Sequence, residues 1–481
     1  MKKLSLMVLT LISAYGLHAQ NIDVKSKNFK ATSNYYNSIV EGDAQISLLN
    51  LFFSNMPKGA DLHHHYTGSI YAETFLDWVE TKNWSIDQTT LKIEKSPASS
   101  GTDLISVAEL RANDALYREL LTLWSDKDYD NHYHQQVAPD QNFFNTFGYF
   151  GTVSDEYMLD GLTLLKERAK KENIQYLETM LSSVGVSSKN YPNADTMVAH
   201  LRAAKTQAQV DAILTQIDTY YQSDESYTGR ITNFVAEVDS LHQKVEDEDF
   251  TLRYQSYTAR VMNPLEVYTD LSAAFIASTK TPLIVGVNIV APENNVTALE
   301  DYTLHMMMFN YLNRKYPTVH RALHAGELTL GMVRPKNLTF HINEAIHIAH
   351  AQRIGHGVDI PYESGSMDLI QYMKDSTVVV EINLTSNEFI LGVKGQEHPY
   401  LIYKKYGVPM IISTDDSGVS RNNLSNQYML LASRYAPSYA EIKQYVYNSI
   451  IHSFLTEEDK QREYKKLDAK FAAFEAIMAK N

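Results

Sequence analysis

The stretch that decides the fold is Met56-Pro57-Lys58-Gly59-Ala60-Asp61-Leu62-His63-His64-His65-Tyr66-Thr67-Gly68. Read as a strand, KGADLHHH alternates its side chains, so His63 and His65 point to one side and His64 to the other. Two imidazoles on one side of a strand end can reach one metal ion. Such a pair alone means little, because His-x-His arises easily by chance. Three further motifs follow in order: LHAGE, with His324 and Glu327; RIGHG, with His356; and STDD, ending in Asp415 and Asp416.

Working outward from His65, the chain alternates short β-rich runs with helical stretches, the pattern of βα units. Candidate strands end near His65, Thr179, Val261, Val290, His324, His356, Ile382 and Thr414. Eight such strands are the number that closes a parallel barrel, whose catalytic groups sit at the C-terminal strand ends. The motifs fall at the ends of the first, fifth, sixth and eighth. The expected fold is therefore α/β, a TIM-type (β/α)8 barrel. Residues from about 80 to 151 are too many for a plain βα loop and predict a helical insertion over the barrel mouth, ending in the aromatic run NFFNTFGYF. A second long connection, from 190 to 249, is polar and helical in pattern.

Composition narrows the chemistry. The 481 residues, 44% of them hydrophobic, suffice for a large core. A net charge of −14 argues against nucleic acid or an anionic membrane as partner. There is no cysteine, so disulfides, thiolate nucleophiles and Cys-held metals are excluded. Any metal must sit on imidazole nitrogen and carboxylate oxygen, a set that suits zinc and leaves other divalent ions open.

The N-terminus reads as an export leader over residues 1–19. Lys2 and Lys3 precede the apolar run LSLMVLTLISAYGL, and Ala19 offers a cleavage point before Gln20. An exported protein, periplasmic or secreted, is expected. Residues 20–55 have helical spacing through Phe29, Tyr36, Ile39, Phe52 and Phe53. They form an arm with two readings, packing on its own barrel or on a second copy as a homodimer. The barrel with its insertion then takes residues 56–481.

The four motifs resemble those of the adenosine deaminase family within the amidohydrolase superfamily, from about Met56 to the C-terminal helices. EINLTSN (381–387) and His398-Pro399 extend the likeness. The leader, the arm and MPKGADLHHH are most similar to its secreted branch, the adenosine deaminase-related growth factors. The resemblance implies one zinc per chain on His63, His65, His324 and Asp415. It implies Glu327 as proton donor, His356 as the histidine that takes a proton from the water, and Asp416 as a purine contact. The implied reaction is hydrolytic deamination of adenosine, with 2′-deoxyadenosine, to inosine and ammonia, on a purine nucleoside.

Those residue types suit that chemistry. Attack at purine C6 needs hydroxide at neutral pH, which a zinc ion with an open position supplies. A carboxylic acid in an apolar pocket can protonate N1 as negative charge develops, and Glu327 stands three residues from a ligand. The chain departs from the family at two places. Tyr66 and Thr67 stand where many members carry an acidic residue near the ribose, and Ala291-Pro292-Glu293 replaces a Gly-x-Glu run. The Ala291 N–H remains available for the purine edge. Phe143 to Phe150 is the candidate cover over the base, with plain packing as the other reading.

His132-x-His134 lies in a polar insertion without strand pattern, and His347 and His350 lead into a strand from its far end; all four are read as non-ligands. Other reaction classes stay open at this point: an amidohydrolase acting on another amide, ester or N6-substituted purine, or a secreted binding relative without activity.

Overall fold

The computed structural model of the protein describes residues 22–127, 129 and 137–480. The expected export leader and the His132-x-His134 pair lie outside the described residues. Among the described residues, eleven strands follow one another as β1 (Gly59–His65), β2 (Ser85–Asp87), β3 (Ile93–Glu94), β4 (Leu104–Ile105), β5 (Ile174–Ser182), β6 (Thr251–Ala259), β7 (Ile284–Val290), β8 (His320–Ala325), β9 (Arg353–His356), β10 (Val379–Ile382) and β11 (Met410–Ile412).

Eight of them form one parallel sheet in the order β1-β5-β6-β7-β8-β9-β10-β11. These are the strands expected from the sequence. Runs such as Ile284–Val290 and Val379–Ile382 are apolar almost throughout because helices cover the outside while the interior is filled by side chains. The sheet curls into a nearly closed barrel. Its ends meet where His64 pairs with Asp415, with the Asp415 N–H donating to the His63 carbonyl at 2.9 Å. The fold is a TIM-type (β/α)8 barrel.

The insertion after β1 differs in part from its all-helical expectation. It contains the helices Ala72–Thr81, Val107–Ala112 and Asp114–Leu123, but also an antiparallel sheet of β2, β3 and β4. Strands of two or three residues are too short to show a period in sequence. The insertion ends in the helix Pro139–Ser154, which carries the aromatic run back over the barrel mouth. The connection from 190 to 249 is three helices: Ala194–Ala203, Gln207–Ser223 and Glu225–Val245.

The arm is two helices, Lys27–Val40 and Ile46–Asn55. Ser26 caps the first, its hydroxyl accepting from the Phe29 N–H at 3.1 Å. Both bury aromatic faces against the chain's own C-terminal helices. Tyr36 donates to the Pro437 carbonyl at 2.9 Å, and the rings of Phe52 and Phe474 meet edge-on at 5.3 Å. Among the described residues, no helix is long and apolar enough to cross a membrane.

Candidate active site

The C-terminal strand ends gather the four motifs at one point. His63 and His65 leave β1, His324 leaves β8, His356 leaves β9, and Asp415 follows β11 at the seam. Asp415 Oδ1 lies 3.3 Å from Nε2 of both His63 and His65. The Nε2 atoms of His65 and His324 are 3.2 Å apart. Ligands held at about 2.0–2.1 Å in a tetrahedron around zinc stand about 3.3 Å from one another. The spacing therefore fits such an ion, and the Nε2 of His63 is buried with no hydrogen-bond partner. His356 and Asp416 border the cluster, each within ligand reach of Asp415.

Hydrogen bonds behind the ligands aim their lone pairs. His63 Nδ1 meets the Glu381 carboxylate at 2.5 Å, and His324 Nδ1 meets Asn288 Oδ1 at 2.9 Å. Each ring then carries its proton on Nδ1 and leaves Nε2 free for a metal. The two supports join inside the barrel. Arg353 Nε donates to Glu381 at 2.7 Å and its Nη2 to Glu178. Gln255 Nε2 donates to Glu178 at 2.9 Å, and Asn288 Nδ2 to Gln255 at 3.1 Å. Burial disfavours charge on His63, yet the carboxylates of Asp415 and Glu381 outweigh it and push its pKa up to about 10. The cluster favours positive charge at its centre. Burial and the surrounding imidazoles hold His324 well below the usual histidine range, so it is neutral and able to ligate.

Two neighbouring carboxyl groups are driven to opposite protonation states. Burial, reinforced by Asp415 and Glu293, raises Glu327 well above the usual carboxylate range. Burial acts the same way on Glu293, but Arg260 and His341 overcome it and hold that group at about 2. Glu293 stays ionised and accepts from the backbone N–H groups of Gly326 and Glu327 at 3.1 and 2.9 Å. Arg260 Nη2 donates to the His324 carbonyl at 2.7 Å. The loop carrying both a ligand and Glu327 is thus gripped from two sides. Asp416 is raised by burial and by the charge of Asp415, and its Oδ1 is buried without a partner.

The backbone is strained where the site is built. His356, Asp415 and Ala291 have φ of 69°, 62° and 78°, values that cost non-glycine residues about 1–3 kcal/mol each. Gly68 is required for a different reason: a Cβ there would stand 1.6 Å from Asp416 Oδ1.

A cavity of about 230 Å³ opens onto these groups, lined by His65, Glu327, His356, Asp415 and Asp416, with Ala291, Tyr257 and Phe143, Phe144 and Phe147 around them. The aromatic run does cover the cavity. Tyr66 and Thr67 do not line it. They tie β1 to the insertion, the Tyr66 hydroxyl donating to the Tyr157 carbonyl at 3.2 Å and Thr67 bonding Ser154 at 3.0 Å. A larger cavity of about 910 Å³ adjoins it, with Tyr257 in both linings, and holds Asp155, Glu156, Arg230 and Glu237. His347 packs on Tyr372, away from the cluster. Sequence reading missed the roles of Asn288, Glu293, Arg260 and Arg353. Their only signal was polarity within otherwise apolar strands or beside a motif.

Residues 231–470 match the family model described as adenosine deaminase. Over that half of its length the chain belongs to the adenosine deaminase family. It is 34% identical to an adenosine deaminase of Clostridium acetobutylicum over 147 residues, 30% of this chain and 41% of that enzyme. It is 29% identical to an adenine deaminase of Rhizobium leguminosarum over 197 residues, 40% of this chain and 54% of that protein. The chain thus spans well under two thirds of the curated relatives it matches. The fold is shared more widely. The N6-methyl-AMP deaminase of Arabidopsis thaliana covers 87% of this chain and 98% of its own, at TM-score 0.56 and 16% identity. An amidohydrolase from Burkholderia ambifaria, solved with bound Zn, covers 90% and 95% at TM-score 0.53 and 15% identity.

Proposed function

We propose that this chain hydrolyses adenosine and 2′-deoxyadenosine to the corresponding inosines and ammonia, with one zinc ion per chain. The observation that carries the reading is the convergence of His63, His65, His324 and Asp415, with ligand atoms 3.2–3.3 Å apart from His63 through Asp415 and His65 to His324, and with Glu327, driven toward its protonated form, in the same cavity. A zinc ion held by these four residues would supply hydroxide at neutral pH.

The chain's own groups do the rest. Glu327 carries a proton into the cavity and delivers it to purine N1 as the attacking oxygen adds to C6. Asp416, also protonated, donates to an unprotonated nitrogen of the imidazole part of the base and fixes its angle. Ala291 offers its backbone N–H to the opposite edge, and Phe143, Phe144 and Phe147 cover the ring and exclude water. His356 Nε2, buried and without a partner, faces the point of attack.

Nucleosides are the preferred substrates over nucleotides. The larger cavity that shares Tyr257 with the site offers the room for a substituent on the purine, and there Asp155, Glu156 and Glu237 outnumber Arg230. Arg230 is already paired with Glu237 at 3.0 Å. A phosphate dianion finds no uncommitted cation there among the described residues. Comparing kcat/KM for adenosine, AMP and N6-methyl-AMP by formation of the 6-oxopurine product, inosine or IMP, tests the reading. A preference for either nucleotide overturns the nucleoside assignment, and no 6-oxopurine product from any of the three overturns the reaction.

Export and assembly belong to the same reading. The Lys2-Lys3 leader and the arm ahead of MPKGADLHHH support an exported protein of the secreted branch. Ile46, Leu48 and Leu51 are exposed on the arm and suit a homodimer contact. N-terminal sequencing of the mature protein and light scattering check these two points.

A further inference from the structure

His356 points Nε2 at the cluster and receives a hydrogen bond at its other nitrogen. Asn387 Nδ2 lies 2.8 Å from His356 Nδ1. Asn387 Oδ1 lies 3.0 Å from His398 Nε2, and His398 Nδ1 accepts from the backbone N–H of Tyr400 at 3.1 Å. All four residues are essentially sealed from solvent, so water cannot supply alternative partners.

We infer that Asn387 and His398 are positioning residues that lock His356 in the tautomer carrying its proton on Nε2, making it a hydrogen-bond donor toward the reacting oxygen. The direction is set at the Tyr400 end. A backbone N–H can only donate, so His398 Nδ1 must be unprotonated, and its ring proton sits on Nε2. That N–H needs an acceptor, which makes the facing Asn387 atom its oxygen. The amide NH2 then faces His356 and fills the Nδ1 lone pair. Turning the amide over would place two donors together at His398 and leave no arrangement that satisfies the Tyr400 N–H. Glu327 Oε1 stands 3.6 Å from His356 Nδ1, beyond hydrogen-bond reach, and does not compete.

The consequence changes a role. A neutral His356 so held has no lone pair on Nε2 and cannot take the proton from the attacking water, the part that resemblance to the family implied. It acts instead by donating to the oxygen as it attacks, orienting it and stabilising its negative charge. No proton moves in this step. The inference rests on the proposed reaction only for what His356 faces; the tautomer follows from the hydrogen bonds alone.

Asn387→Asp is the decisive variant, because a carboxylate of the same shape accepts from both rings and should draw the His356 proton to Nδ1. Histidine side chains labelled with 15N, with the His356 signals assigned by their loss in His356→Ala, report where the proton lies. The expected result in the zinc-loaded protein is a protonated Nε2 and an unprotonated Nδ1, reversed in Asn387→Asp. With adenosine, the variant should lose kcat by about a hundredfold, the effect of removing one preorganised donor, while KM moves by less than about threefold. Zinc content should be unchanged. A proton on Nδ1 of the unmodified protein overturns the inference, and so does full kcat in a variant whose proton has moved. If Asn387→Asp does not fold, the spectrum of the unmodified protein decides alone. A protein that shows the expected tautomer but no deamination upholds the relay and refutes the reaction.

Discussion

His64 and Asp415 pair backbone to backbone at the seam where the first and last strands meet, so the barrel closes through the metal cluster itself. His63 and His65 flank one side of that pair, and the Asp415 side chain reaches both from the other. Closure and ligand assembly are one event, and the φ of 62° at Asp415 is held by both.

Metal content follows from this geometry. One zinc per chain is expected by elemental analysis, with chelation abolishing activity and added zinc restoring it. Asp415→Ala should lose the metal. Two tightly held ions per active chain would contradict a single four-ligand site.

Glu327→Gln keeps the shape of the acid but has no proton for N1. A fall in kcat of about 10²–10⁴-fold is expected, with zinc retained. A variant keeping more than about a tenth of the activity would remove Glu327 from the role of acid.

The same group sets the alkaline limb of the pH profile. Burial raises its pKa, and the protonated form is the reactive one. Its contribution is therefore complete below the raised pKa and lost as pH climbs through it. The kcat/KM for adenosine should fall on the alkaline side, and a rate that only climbs as pH rises would be inconsistent with this acid.

Gly68→Ala puts a methyl group into the Asp416 carboxyl, since an ideal Cβ would lie 1.6 Å from Oδ1. Displacing Asp416 should lower kcat/KM by at least about tenfold, or 1.4 kcal/mol, with zinc content kept. Unchanged kinetics would show that Asp416 does not contact the base.

Arg353 is buried between Glu178 and Glu381. Arg353→Ala leaves both carboxylates uncompensated and should cost about 3–5 kcal/mol in denaturant unfolding. Because Glu381 supports His63, zinc affinity should weaken by about 10–100-fold as well. Unaltered zinc affinity would disconnect the interior network from the metal.

Much of this molecule was written locally in the chain. The eight barrel strands were legible because apolar β-rich runs alternate with helical ones. His63 and His65 were legible as a pair because alternation along a single strand decides which side each faces. The aromatic run over the cavity showed itself by composition. The small sheet of β2, β3 and β4 did not, since two or three residues carry no period.

Tertiary structure alone decided what supports those groups. Glu381 meets His63 across 318 residues of chain, and Asn288 meets His324 across 36. Tyr66 and Thr67 were drawn to the insertion instead of the cavity, a choice made by where the helix Pro139–Ser154 lands. The direction of the hydrogen bonds from Tyr400 to His356 likewise exists only once β9, the segment after β10 and the following turn are packed together. Periodicity encodes which face of an element is buried; which distant side chain shares that face is settled when the barrel closes, because each buried polar group must then find its partner among whatever closure brings within reach.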